Sequence, residues 1–511
     1  MNPTIVDIGA PLTPHDVVTV ARLGTPVTVG EQAMERVKQA SDLVESLADD
    51  PNPHYGISTG FGALASTRVP RDHRVALQRS LIRSHAASTG PRVETEVIRA
   101  MMILRLKTMA SGHTGVRPEV VTAYADLLNS GLVPVVGEYG SLGCSGDLAP
   151  LAHCALVLTG EGTVLTSDGD EVDAATGLAQ AGLKPVSLRE KEGLALINGT
   201  DGMLGQLIMA LADLGVLVPT ADLATAMTVQ ALCGIDRVFA PDLQALRPHP
   251  GPAASAANIL ALLEGSDLIQ AGREGAAKRV QDAYSLRCAP QVHGAVRDTM
   301  AHALQVAKVE LDSAVDNPVI TDDMRVESNG NFHGAPVAYV LDFLAIAAAD
   351  LASMSERRTD RMLDPARNRD LHPFLADDPG VDSGHMIAQY TQAGIVSDMK
   401  RLAVPASVDS IPTSAMQEDH VSMGWSAARK LRRAIDGMGA VIGIEILTAA
   451  NAIQMRGLEP SKPVADVIAR MRQTIPGPGP DRFLAPEIDE AHRLVASGEL
   501  LEVVRQQVEV S

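Results

Sequence analysis

Gly137-Glu138-Tyr139-Gly140-Ser141-Leu142-Gly143-Cys144-Ser145-Gly146-Asp147-Leu148-Ala149-Pro150-Leu151-Ala152-His153 is the stretch around which the chain is organised. Its glycines, at 137, 140, 143 and 146, exclude an ordinary helix or strand, because glycine is used where a backbone bends sharply or approaches something closely. After Gly146 the pattern changes. Asp147 is suited to cap a helix, Pro150 is tolerated in a first turn, and Leu148 to Thr159 is apolar enough for a buried helix. Cys144, Ser145 and Gly146 are therefore expected at the positive end of a helix dipole.

Three readings of that triplet compete. A capped turn entering a helix explains any isolated Ser-Gly pair. A serine or cysteine nucleophile is disfavoured, because Asp147 stands where a G-x-S-x-G elbow needs its last glycine. In the third reading the backbone itself reacts: the Gly146 nitrogen attacks the Cys144 carbonyl, and water is lost together with the Ser145 hydroxyl. Glycine is needed as attacker because a Cβ would obstruct the fold-back, and serine because its oxygen leaves. The product is a five-membered methylidene-imidazolone (MIO) ring with an electrophilic methylene.

The run from Gly140 to His153 resembles the signature of the aromatic amino acid ammonia-lyases, which carry such a ring. That family more often has alanine where this chain has Cys144, a harmless departure because only the backbone carbonyl of that residue enters the ring. Further segments resemble the family in matching order. The glycine-rich run Asn52-Pro53-His54-Tyr55-Gly56-Ile57-Ser58-Thr59-Gly60-Phe61-Gly62 resembles the loop whose tyrosine is the catalytic base, although a packing tyrosine is the plain alternative for Tyr55. Ser84-His85, in a helix expected over 72–87, resembles the pair that tracks the substrate side chain, and Ser-His is what histidine-specific members carry. Ile197-Asn198-Gly199-Thr200 resembles a segment whose asparagine contacts substrate. Gln281, Tyr284 and Arg287 stand three apart, one face if the segment is helical. The resemblance makes Arg287 the partner of the substrate carboxylate, for which a planar guanidinium is suited, and gives Tyr284 and Gln281 the amine. Phe332 and Met386 are implied to line the pocket, with His385 an unusual neighbour. Glu418, in a run that otherwise reads as a solvated helix start, is implied to hold an imidazole.

Composition narrows the class. The 511 residues include 46% hydrophobic ones and 43 glycines, which suits a soluble globular protein with a substantial core. A net charge of −19 argues against nucleic acid, whose phosphates need concentrated positive charge. The four cysteines are too few for a disulfide framework and lack metal-type spacing, so a reducing cytoplasm is the natural inference. Met1 to Gly9 lacks the features of a signal peptide. Met203 to Ile235 is the most membrane-like segment, but Asp213, Asp222 and Pro219 argue against a bilayer span and favour a helix pair in the deep core or on a face shared between subunits.

A mainly α fold is expected, a long-helix bundle core with a smaller N-terminal domain carrying the ring-forming loop, the cut falling between residues 1–200 and 201–511. The first fifty residues predict an extended lead-in and a helix over 30–47. Residues 163–172 predict a surface hairpin with an Asp168-Gly169 turn. Helices are predicted over 253–263, 295–311, 335–354, 387–403 and 422–453, with a last one over 486–507.

The resemblance implies conversion of L-histidine to trans-urocanate and ammonia in a homotetramer whose sites draw on three subunits, with MIO as the prosthetic group and no metal. Another MIO enzyme, a phenylalanine or tyrosine ammonia-lyase or an aminomutase, is the nearest alternative. A fumarase-type helical lyase or a non-catalytic helical scaffold stands further off, and both predict an unmodified triplet.

Overall fold

The structure, a computed structural model, describes residues 5–60, 67–143, 145–274 and 280–511. It is mainly α, with a few short strands. By compactness it forms two units: Met1–Met209 with Ala303–Asp342 and Pro405–Arg429, and Ala210–His302 with Phe343–Val404 and Lys430–Ser511. The chain passes back and forth between them rather than once at residue 200.

In the first unit, a two-residue parallel pairing of Val6–Asp7 with Val27–Thr28 brackets a helix, Pro14–Leu23, that the sequence reading leaves inside its extended lead-in. Local chemistry supports it: Thr13 and Asp16 form a reciprocal capping box, with Pro14 in the first turn. The helix Glu31–Ala48 follows as expected, and Ala40, Val44 and Ala48 pack with Ile57 and Ile320. Arg74–His85 is the helix that carries Ser84 and His85. Thr95–Ala110 is buried on nearly every side, and two arginines, Arg99 and Arg105, are buried within it. The predicted hairpin forms from Thr163–Leu165 and Glu171–Asp173, but it is not a surface ornament. Its first strand also pairs with Val133–Pro134, and Val164 is fully buried.

The second unit is helical throughout. Asp201–Ala231, whose first turns belong to the first unit, is one continuous helix through Pro219 rather than a pair. A mid-helix proline costs about 3 kcal/mol, which burial of nearly every side chain from Leu217 to Ala231 outweighs. With Ala335–Leu363 and Gly424–Arg456, this helix is long and apolar enough to cross a membrane by length and composition, yet most of each apolar window is buried inside the fold. Asp222 explains the acid in the apolar run: it pairs with His293 at 2.7 Å and with Arg297 at 2.7 Å. Arg358 and Glu445 form a second fully buried pair.

The last predicted helix is two, Ala485–Ala496 and Glu499–Arg505, separated by Gly498. Lys462–Met471 was not expected. Cys154, Cys233 and Cys288 are thiols rather than disulfide halves.

Candidate active site

The glycine-rich loop is pinned at both ends by groups distant in sequence. On its N-terminal side, the strand Gly137–Tyr139 pairs with Thr89–Arg92, and the buried Trp425 indole donates to the Glu138 carbonyl at 2.7 Å. Ser422 Oγ then donates to the Gly143 carbonyl at 3.0 Å, and the Met423 N–H donates to the Leu142 carbonyl at 2.9 Å. On its C-terminal side, the Asp147 N–H donates to the Gly199 carbonyl at 2.7 Å. Ser145 is half-buried between these anchors. Cys144 lies outside the described residues, as does the Phe61–Gly62 part of the Tyr55 loop.

Gly146 admits no other residue. Its φ is +80°, and a Cβ would lie 2.0 Å from the Gly199 carbonyl oxygen. A backbone so tightly turned, with its neighbours anchored, fits a nitrogen that must fold back on the chain.

Asp147 departs from its expected role. Its side chain does not cap the helix it precedes. One oxygen instead accepts from the Met203 N–H at 2.8 Å, capping the helix that begins at Asp201, and the other accepts from Ser141 Oγ at 2.8 Å. Burial pushes the Asp147 carboxyl up to about 7, against these two bonds, which pull it down. The linkage has a definite sign. A carboxyl raised in the folded state contributes stability that is complete below its ordinary value of 3.8 and is lost as pH rises through about 7. Asp147→Asn is therefore expected to lose less melting temperature than wild type between about pH 5 and about pH 8. Thermal denaturation at the two pH values checks this, and parallel losses would contradict it.

Four helix N-termini converge on the loop: Leu148, Asp201, Ala335 and Gly424 open their helices. Backbone neighbours connect them, because Met203 packs against Gly143, Gly334 and Gly424. Together they make the surroundings of Ser145 favourable to negative charge. Asn198 lies beside this cluster, buried at the end of the helix Glu192–Ile197. Its amide NH2 donates to the Asn317 carbonyl at 2.8 Å, while its Oδ1 is buried without a partner. An acceptor left in this way suits a ligand N–H.

His85 closes its helix with Nδ1 at 2.9 Å from the Leu81 carbonyl. A carbonyl only accepts, so Nδ1 carries the proton and Nε2 the lone pair. Burial lowers the His85 pKa, while the bond to Leu81 and the charge of Glu418 pull it back up. Glu418 does not start a helix: it pairs back on Thr413, whose hydroxyl donates to Oε2 at 3.0 Å. The Phe332 loop joins the same group through stacked His333 and His420 rings, with centroids 5.6 Å apart. Phe332 is half-buried, and so is Tyr55, in a turn anchored by buried Ile57. His153, from the signature run, serves the scaffold by accepting the Ser88 N–H at Nε2, 3.1 Å away.

The first unit thus holds Tyr55, His85, Ser145, Gly146, Asn198, Phe332 and Glu418, and the second holds Gln281, Tyr284, Arg287 and Met386. Gln281, Tyr284 and Arg287 do not share a helical face, because the helix is only Tyr284–Arg287 and Gln281 precedes it. The Arg287 guanidinium lies 4.6 Å over the Tyr284 ring, and its Nε donates to the Asp282 carbonyl at 2.9 Å. Tyr284 is 70% exposed and Gln281 is exposed.

Met386 opens the helix Met386–Leu402. His385 is not at a pocket edge but buried, bonded to Thr448 Oγ1 at 3.0 Å and to the Asn451 amide at 2.9 Å. Among the described residues, no cluster of His, Cys, Asp or Glu is placed to hold a metal ion.

Comparison with known proteins identifies the family. The family model described as aromatic amino acid lyase matches residues 12–473. A histidine ammonia-lyase of Streptomyces avermitilis is 61% identical over 500 residues, 98% of each chain. Another, of Sorangium cellulosum, is 46% identical over 98% of this chain and 99% of that one. Among solved structures, histidine ammonia-lyase from Trypanosoma cruzi superposes with a TM-score of 0.91 at 36% identity, covering 99% of this chain and 96% of that one. Tyrosine aminomutase from Streptomyces globisporus gives 0.93 at 35% identity, with 99% and 100% covered. Matched by the family's model along most of its length, and by relatives over nearly all of it, this chain belongs to the aromatic amino acid lyases.

Proposed function

We propose that this protein deaminates L-histidine to trans-urocanate and ammonia, as a cytoplasmic homotetramer, with an MIO ring built from Cys144, Ser145 and Gly146. The observation that carries the choice of substrate is His85, whose Nδ1 is committed to the Leu81 carbonyl, with the charge of Glu418 acting on its ring. His85 thus offers a lone pair at Nε2, and Glu418 offers a carboxylate. Each can accept an N–H from an imidazole, which offers one such donor when neutral and two when protonated. A phenyl ring has no such donor and would leave them unsatisfied, which disfavours it strongly. The names of the relatives at about 60% identity point the same way.

The ring supplies an electrophilic carbon for an amine that is otherwise a poor leaving group. The rest falls to side chains. Tyr55 takes the β-proton, Arg287 grips the carboxylate, His85 and Glu418 hold the imidazole, and Phe332 and Met386 line the pocket. Asn198, Tyr284 and Gln281 orient the amine. The converging helix N-termini stabilise negative charge that develops beside Ser145.

The test compares urocanate release from L-histidine with cinnamate release from L-phenylalanine by absorbance. Histidine is expected to be favoured by at least about 10³-fold in kcat/KM, in line with sites that recognise substrate N–H groups. Faster cinnamate release would overturn the assignment. The likeness to tyrosine aminomutase favours a second reading, return of the amine to the β-carbon. A β-amino acid among the products would select it.

A further inference from the structure

Of the two buried arginines of the helix Thr95–Ala110, Arg105 has no place in the chemistry above, yet it lies directly behind the loop. Arg105 is fully buried. Its Nη1 donates to the carbonyls of Ala195, at 2.9 Å, and Asn198, at 3.1 Å, and its Nη2 donates to the Val315 carbonyl at 3.1 Å. Nη2 also pairs with Asp201 Oδ2 at 2.6 Å. The guanidinium thus gathers the backbone that precedes Gly199 and the Asp201 side chain that follows it. Contact with Gly199 itself is so close that a Cβ there would lie 1.9 Å from Nη2.

The other side of Gly199 faces the loop. Its carbonyl accepts the Asp147 N–H at 2.7 Å and presses on the Gly146 Cα. Three layers are therefore stacked: the guanidinium, the Gly199 peptide, and the Gly146–Asp147 backbone. Ser422 and Met423 hold the opposite end of the loop.

We propose that Arg105 is a positioning residue for ring closure, seating the Gly199 peptide so that the turn at Gly146 is held in its closing geometry. The inference rests on the ring assigned above. Closure forms a bond from the Gly146 nitrogen to the carbonyl carbon of residue 144. That carbonyl's oxygen leaves as water with the amide hydrogens of Gly146 and Ser145, creating a C=N bond. The Ser145 hydroxyl leaves as a second water with the α-hydrogen, creating the methylene. No oxidant is required. Both waters depart from a backbone that must already be folded back, so fixing that fold-back lowers the entropy to be lost on the way. Three directional hydrogen bonds and an ion pair from a rigid fork fix a peptide where one ammonium could not.

The experiment measures the intact mass of full-length wild type, Arg105→Lys and Arg105→Met, alongside circular dichroism and histidine kinetics. Wild type is expected to be lighter than its sequence by two waters. In the variants a folded population retaining the unclosed mass is expected to dominate soon after expression. Their kcat should fall in proportion to ring occupancy, with KM unchanged. Folded variants with full ring occupancy would overturn the proposal, whatever their activity. If neither variant folds, Asp201→Asn leaves the guanidinium in place and removes the carboxylate that orients Nη2. Reduced occupancy there supports the proposal and full occupancy overturns it. A wild-type mass equal to the unmodified sequence would instead remove the ring reading itself, so the two failures are distinguishable.

Discussion

Replacing Ser145 with alanine is expected to lower urocanate formation on the order of 10³-fold or more, a barrier increase of about 4 kcal/mol, while leaving the fold intact. The hydroxyl is the group that must depart for the methylene to form, and alanine has none. The bonds that shape the loop do not run through this side chain. They come from Ser422, Met423, Gly199 and the Asp147 carboxyl. The melting transition should accordingly stay close to that of wild type. Intact mass separates the causes: the variant should lack the two-water loss of wild type. Near-normal turnover in a variant of unmodified mass would sink the ring mechanism.

Tyr55→Phe is expected to reduce kcat by about 10² to 10⁴-fold, the range for losing a positioned general base, with KM changed little. Phenylalanine keeps the ring and loses only the hydroxyl. The turn around Tyr55 is held by other groups. The His54 N–H donates to Ser58 Oγ at 2.9 Å, His54 Nε2 pairs with Asp50 at 3.0 Å, and Ile57 is fully buried in an aliphatic cluster. The ring assembles elsewhere, so intact mass should show full occupancy. Steady-state kinetics on such ring-bearing protein give the answer, and a variant keeping more than about a tenth of wild-type kcat would take the role of base away from Tyr55.

Much of the molecule was legible in one dimension. Long apolar runs at helical spacing announced Ala335–Leu363 and Gly424–Arg456, because burying one face of a helix requires such a pattern. The glycine spacing around Ser145 announced a loop bent for close approach, and Gly146 at +80° against the Gly199 carbonyl is that approach. Ser84-His85 was picked out in a helix, and the helix Arg74–His85 carries the pair at its C-terminal end.

Other features depended on partners far away in the chain. Asp147 looked like the cap of its own helix, but its carboxylate serves Met203, 56 residues on. Nothing local to Arg105 distinguishes it from a surface arginine on an amphipathic helix; its partner Asn198 lies 93 residues away. A helix pair was expected across Met203 to Ile235, and one helix, Asp201–Ala231, runs through Pro219 instead, because all-round burial overrides a local penalty. Gln281, Tyr284 and Arg287 looked like one face because their spacing is helical, yet only four residues there form a helix.

Periodicity and glycine placement depend on backbone sterics within a few residues, so the sequence by itself determined the helical class and the sharply bent loop around Ser145. Which buried polar groups meet depends on the cost of leaving any of them unpaired, summed over the whole core. Only the tertiary structure could decide that Arg105, Asp147, Gly199 and Ser422 would enclose Gly146.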